Sequence, residues 1–224
     1  MASAVTIRID DTSTVSALID GPADAAAVYV FAHGAGAGME HPSMARMAEG
    51  LAQRGIAVLR YRFPYMERKS RRPDPPKVAH AAVRAAVDFA AARWPGARLF
   101  AGGRSFGGRM TSQAQALTPL QRVAGLVFIG FPLHPAGKPS IERAAHLCDV
   151  TVPMLFLQGT RDELADPALL RSVIASLKSR ASLQEIDDAD HSFHVRRSSG
   201  RDDAQVREAM LDSIAQWFAS FARS

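Results

Sequence analysis

The chain has 224 residues, of which 47% are hydrophobic and 22% charged, with a formal net charge of +5 and a single cysteine, Cys148. That balance is ordinary for a globular protein and fits one domain of at most roughly 250 residues, so residues 1–224 are expected to form a single domain. A lone cysteine excludes an internal disulfide and suits a reducing compartment. Its place after Leu147 predicts a buried or half-buried structural thiol rather than a nucleophile. The N-terminal MASAVTIRIDD lacks a basic stretch followed by a long apolar one, so no secretory signal is read there. No apolar run approaches the roughly 20 residues that span a bilayer. A soluble, cytoplasmic protein with no membrane partner is expected.

In chain order, Val5 to Ile9 and Val15 to Ile19 are short β-type runs around Asp10-Asp11-Thr12-Ser13 and read as an antiparallel hairpin. Val28 to Ala32 is a continuous apolar strand of the kind buried on both faces, and it runs into His33-Gly34-Ala35-Gly36-Ala37-Gly38. Met44, Met47, Ala48 and Leu51 mark a helix that stops at Gly55. Ile56 to Leu59 is a strand. A proline-rich basic loop follows, then a helix from about Val78 to Trp94. Leu99 to Ala101 is a strand leading into Gly102-Gly103-Arg104-Ser105-Phe106-Gly107-Gly108, and a helix continues to about Ala116. Val123 to Ile129 and Met154 to Leu157 are further buried strands. A helix over Ala168 to Leu177, a strand near Leu183 to Ile186 and a last helix with Val206, Met210, Ile214 and Trp217 on one face complete the chain. This β/α alternation predicts a mostly parallel sheet covered on both faces.

The positive charge is spread out except from Arg60 through Arg62, Arg68, Lys69, Arg71 and Arg72 to Lys77, where Tyr61 and Tyr65 interleave with it. This stretch reads first as a solvated loop, next as a rim attracting anionic substrates, and last as a nucleic-acid surface. No nucleic-acid partner is expected.

Gly103-Arg104-Ser105-Phe106-Gly107 matches G-x-S-x-G, the pattern of a sharp strand-to-helix turn that lifts a serine hydroxyl above the sheet edge. The helix that follows also turns its positive N-terminal end toward the serine. A phosphate-binding glycine loop is the competing reading. It is disfavoured because such loops occupy the first βα turn and no Gly-Lys-Ser/Thr is present.

A serine on such a turn needs an acid and then a histidine later in the chain. Asp162, beyond the Met154 to Leu157 strand, supplies the acid; Glu163 and Asp166 compete, though Asp166 is better placed to cap the helix opening at Pro167. His191 follows the acidic turn Asp187-Asp188-Ala189-Asp190 and is favoured as base, with His194 its rival. Asp187, Asp188 and Asp190 read as solvent-facing turn residues. An oxyanion needs two preorganised N–H donors, each worth roughly 3 kcal/mol. Phe106 is the expected first donor and Ala35 the second, with Gly36 as its rival. His33, His41, His80, His134 and His146 have no fixed place in the triad and no metal-ligand spacing, so neither a metal nor a cofactor is expected.

Over nearly its whole length the chain resembles the α/β-hydrolase superfamily, most of all its small dienelactone-hydrolase-like branch. Several segments are similar to the testis-expressed-protein and NSL-complex-subunit-like hydrolases: Phe31 to Gly36, Arg62 to Tyr65, Pro73 to Pro76, Gly102 to Arg109, Phe131 to Pro139 and Asp190 to Phe193. The resemblance implies an α/β-hydrolase fold, a doubly wound sheet of about seven or eight strands carrying the triad above. It implies no substrate, and eukaryotic members are associated with non-enzymatic complexes. Dienelactone hydrolases usually carry a cysteine nucleophile where Ser105 stands, which argues against dienelactone itself.

About 20 residues separate the Val123–Ile129 and Met154 strands, too few for a folded cap domain. A shallow site is expected, lined by Gly34 and Gly36, with Arg104, Arg109, His134 and Lys138 at its entrance; for each of these four, ordinary surface charge is an equal reading. The leading function is a serine hydrolase acting on a small carboxylic ester through Ser105, His191 and Asp162. The alternatives are a thioesterase or peptidase on the same triad, and a non-catalytic scaffold that keeps the fold. The oligomeric state is left open.

Overall fold

Asp10 accepts hydrogen bonds from the Thr12 N–H at 2.8 Å and from its hydroxyl at 2.9 Å, which closes the turn between β1 (Ser3–Arg8) and β2 (Thr14–Asp20). The computed structural model describes residues 2–221; Met1 and residues 222–224 of the expected 1–224 domain lie outside the described residues. β3 (Ala27–Ala32), β4 (Ile56–Tyr61), β5 (Arg98–Arg104), β6 (Val123–Ile129), β7 (Met154–Gly159) and β8 (Ala181–Ile186) complete an eight-stranded sheet ordered β1-β2-β4-β3-β5-β6-β7-β8. The β1–β2 and β2–β4 pairs are antiparallel and all others parallel.

The central strands are buried along nearly their whole length because each feeds two cores by alternation. Val28, Val30 and Ala32 enter one core and Tyr29 and Phe31 the other. Leu126 and Phe128 part from Val127 and Ile129 in the same way. The first core is covered by α3 (Pro76–Arg93), α4 (Phe106–Leu117) and α5 (Pro167–Leu177), and the second by α1 (Pro42–Gln53) and α6 (Asp203–Ser220). A continuous apolar strand is the sequence form of this two-sided burial.

Several elements differ from the sequence expectation. The basic loop contains a short helix, α2 (Pro64–Glu67), and residues Glu142–Asp149 form a 3-10 helix. On α6 the buried stripe ends at Phe218, which stacks on Phe100 with ring centroids 3.8 Å apart, while Trp217 is only half-buried. Cys148 is exposed rather than buried: Leu147, its neighbour, turns into the core and leaves the thiol on the outer side of the 3-10 helix. The connection between β6 and β7, residues 130–153, carries that one helix and no cap domain.

The chain leaves β3 toward β4 and returns to place β5 on the other side of β3, so the loops after β3 and β5 diverge at the carboxyl edge of the sheet. Doubly wound sheets bind ligands at such a switch point. Here residues 33–38 and Ser105 meet there.

Candidate active site

Ser105 joins β5 to α4 with φ 49° and ψ −117°, a conformation that L residues other than glycine adopt only at a cost of about 1–3 kcal/mol. Packing holds it there. The Ser105 N–H donates to the Ile129 carbonyl at 3.0 Å, and α4 lies so close to β3 that a Cβ on Gly103 would stand 2.4 Å from the Ala32 carbonyl oxygen, and one on Gly107 2.5 Å from that of His33. The flanking glycines of the motif are therefore required by this close approach.

Asp162 and His191 reach Ser105 from the ends of β7 and β8. His191 Nε2 lies 2.9 Å from Ser105 Oγ, and His191 Nδ1 lies 2.7 Å from Asp162 Oδ2. Asp162 is buried and its carboxylate also accepts from the Gln158 amide and, at 2.8 Å, from the Leu164 N–H. A carboxylate so placed holds the Nδ1–H tautomer and leaves the Nε2 lone pair facing the serine hydroxyl, the arrangement needed to remove its proton. Gly130, at φ 67°, offers bare backbone to the imidazole: a Cβ there would sit 3.4 Å from His191 Cε1.

The turn carrying His191 is built by Asp190, which accepts from the Ser192 N–H at 2.8 Å and the His194 N–H at 3.0 Å. Asp190 is thus a half-buried framework residue rather than a solvent-facing one. Asp188 also turns inward, toward Arg161 at 3.6 Å and Arg196 at 3.7 Å. His194 points away from Ser105 and bonds Asp203 at 2.8 Å. Asp166 caps α5, accepting from the Leu169 N–H at 3.0 Å.

The loop after β3 is oriented by His33, Phe63 and Tyr65, which lie in two of the segments singled out in the sequence but were given no role there. The Phe63 N–H donates to His33 Nε2 at 3.0 Å, so the ring proton is on Nδ1 and goes to the Gly34 carbonyl at 2.7 Å. Burial lowers the His33 pKa below 6.5, which keeps the ring neutral. The Tyr65 hydroxyl donates to the Ala35 carbonyl at 2.9 Å, and burial pushes its pKa up to about 12. In a trans peptide the N–H points opposite to the preceding carbonyl. Engaging the Gly34 and Ala35 carbonyls on one side therefore turns the Ala35 and Gly36 N–H groups to the other. Gly34 packs near Ser105, with its virtual Cβ 3.7 Å from the serine Cβ. Phe106, as the first residue of α4, carries one of the N–H groups left without an intrahelical acceptor.

A cleft of about 360 Å³ opens over these groups, and its walls include Ala35, Ser105, Phe106, Arg109, Pro132 and Arg143. Gly34, Gly36 and Lys138, expected to line the site or its entrance, are not in its walls, and Arg104 does not line it either. Its guanidinium bonds the Ser43 hydroxyl at 2.9 Å and approaches the His191 carbonyl at 3.5 Å, so it braces the histidine turn from behind. His134 is also not at the entrance. It is buried, with the Asp166 N–H donating to Nε2 at 2.8 Å and Nδ1–H donating to the Pro135 carbonyl at 2.9 Å. Arg104 was expected at the entrance because it adjoins Ser105, and His134 because it sits on the loop after β6; neither position says which way a side chain leaves the backbone. The basic stretch changes character for the same reason. Arg60, Tyr61 and Tyr65 are buried, Arg62 pairs with Glu40, and Arg68 with Asp74.

Residues 25–219 match the family model of the alpha/beta hydrolase domain, and the chain belongs to that family. Its fold is similar to that of a serine hydrolase without lid from Xanthomonas campestris, at 22% identity and a TM-score of 0.72 over 96% of this chain and 94% of that one. It is similar to dienelactone hydrolase from Anabaena variabilis, at 22% identity and TM-score 0.79 over 98% and 97%. A third similar structure is the esterase domain of a Rhodothermus marinus protein, at 18% identity and TM-score 0.71 over 96% and 98%. At these identities the likeness is one of fold. Among the described residues no helix is long and apolar enough to cross a membrane, and no three His, Cys, Asp or Glu side chains gather where they could hold a metal ion.

Proposed function

We propose that the protein is a serine hydrolase that cleaves a small carboxylic ester through an acyl-enzyme on Ser105. The observation that carries this reading is the hydrogen-bond chain from Ser105 through His191 to Asp162, at 2.9 Å and 2.7 Å, on a strained turn at the switch point of the sheet. His191 takes the hydroxyl proton as Oγ attacks the carbonyl carbon, and Asp162 holds the imidazolium that forms. The oxyanion is received by the N–H groups of Phe106 and Ala35, the latter favoured over Gly36 because Ala35 lines the cleft. His191 returns the proton to the departing alcohol, and water repeats the sequence to release the acid. The likeness to testis-expressed-protein and NSL-complex-subunit-like hydrolases rests on the sequence segments alone.

Intact-mass analysis after exposure to a fluorophosphonate tests this. Wild type is expected to gain one adduct on Ser105 and Ser105→Ala none. Asp162→Asn is expected to lower kcat on short nitrophenyl esters by about 10⁴-fold, because an amide favours the wrong imidazole tautomer. A folded wild type that neither labels nor turns over any ester overturns the proposal.

A further inference from the structure

Arg109 lies one helical turn beyond Ser105 on α4, its N–H bonded to the Ser105 carbonyl at 3.1 Å, and its side chain enters the cleft wall. Its Nε is buried and bonds nothing among the described residues. Arg143, on the Glu142–Asp149 helix, lines the same cleft. Neither arginine has a carboxylate partner among the described residues. The one acid in the wall, Asp74, is already engaged by Arg68 and by the Tyr65 N–H at 2.7 Å. The helix bearing Arg143 is tied to α4 by His146 Nε2 against Ser112 Oγ at 2.8 Å. Burial and the charge of Arg143 both weaken the hold of Arg109 on its proton. Two like charges held in one cleft wall with no carboxylate partner bear a repulsive cost that an anion bound in the cleft offsets.

We propose that Arg109 and Arg143 form an anion subsite beside Ser105, so that the substrate is an ester carrying a carboxylate or phosphate group near its scissile bond. This rests on the reading of Ser105 as nucleophile. Arginine suits the task because its planar fork meets either group with paired hydrogen bonds.

The test compares the mono-4-nitrophenyl ester of glutaric acid with its methyl-capped, neutral counterpart. Wild type is expected to favour the charged ester in kcat/KM by at least about tenfold. Arg109→Gln and Arg143→Gln should each bring that ratio toward unity, mainly through KM, and Arg109→Lys should restore part of it. Competition by glutarate assigns the subsite to carboxylates, competition by inorganic phosphate to phosphates, and competition by neither overturns it. Labelling of Ser105 together with equal or better turnover of the neutral ester also overturns the subsite and leaves the hydrolase reading standing. If Ser105 does not label, the hydrolase reading fails; calorimetry then supports the subsite if glutarate or phosphate binds wild type at least about tenfold more tightly than Arg109→Gln, and overturns it if neither does.

Discussion

His33 is fully buried with both ring nitrogens engaged, by the Phe63 N–H and the Gly34 carbonyl. It spans two loops that the chain separates by some 30 residues, and in doing so it fixes which way the Ala35 N–H faces. Replacing it with alanine strands the Phe63 N–H and frees the Gly34 carbonyl. His33→Ala is therefore expected to cost about 1–3 kcal/mol in urea unfolding. In the proposed acyl transfer it should lower kcat by about 10²-fold, the scale of losing one oxyanion donor, with a smaller change in KM. A matching stability loss with kcat unchanged would remove His33 from the positioning of that loop. The sequence placed a histidine directly before a glycine turn, but its partner Phe63 comes from the end of another strand, and nothing in the local pattern joins the two.

At the scale of elements, the segment from β8 to α6 sets the position of His191. Phe193 takes φ 63° and buries its ring, and α6 begins with a capping box in which Asp202 accepts from the Gln205 N–H at 2.8 Å. Asp203, in the first turn of α6, clips the turn to the helix through His194 and the Val195 N–H. The hydrogen bond to Asp203 raises the His194 pKa above 6.5. A raised folded-state value makes this stabilisation complete below the unfolded pKa and removes it as pH climbs through the folded one. The melting-temperature gap between wild type and His194→Gln is thus expected to be wider at about pH 5 than at about pH 9. His146 acts in the opposite sense, since burial and then Arg109 push its pKa down to about 4, but it is common to both proteins and cancels in the difference. A gap that does not narrow with rising pH would dismiss the clip.

Across the whole molecule, the antiparallel hairpin is joined to the parallel sheet around a buried ion pair. Arg60 on β4 and Asp20 on β2 are 3% and 6% exposed and meet through two hydrogen bonds, at 2.9 Å and 3.0 Å, while a third from Arg60 reaches the Met39 carbonyl at 2.7 Å. Breaking such a pair leaves one charge buried and uncompensated. Asp20→Ala is expected to cost about 3–5 kcal/mol, read from urea midpoints. Arg60→Met with Asp20→Leu should recover most of that, because apolar residues of similar volume escape the desolvation penalty. If the double variant is as weak as the single one, the pair contributes specific structure rather than charge balance.

Local pattern in the chain was enough to read the alternation of strands and helices, the sharp turn at Ser105 and the order of Ser105, Asp162 and His191 along it. These features rest on short-range pattern: apolar runs, glycines where backbones must touch, and loops that follow strands. Its reading of charge was poorer. Arg60 looked like the start of a solvated basic loop, and only the extension of β4 to Tyr61, paired on both sides, placed it inside. Arg104 and His134 read equally as entrance residues or as surface charge, and they brace the His191 turn and the β7–α5 loop instead. Arg109 and Arg143 are far apart in sequence and share a cleft only because the Glu142–Asp149 helix packs on α4. Side-chain direction and long-range pairing come from packing of whole elements, which is why Arg109 could be expected near Ser105 from its place in the chain while Arg143 could not, and why Arg104 and His134 turned out to hold the frame around the serine.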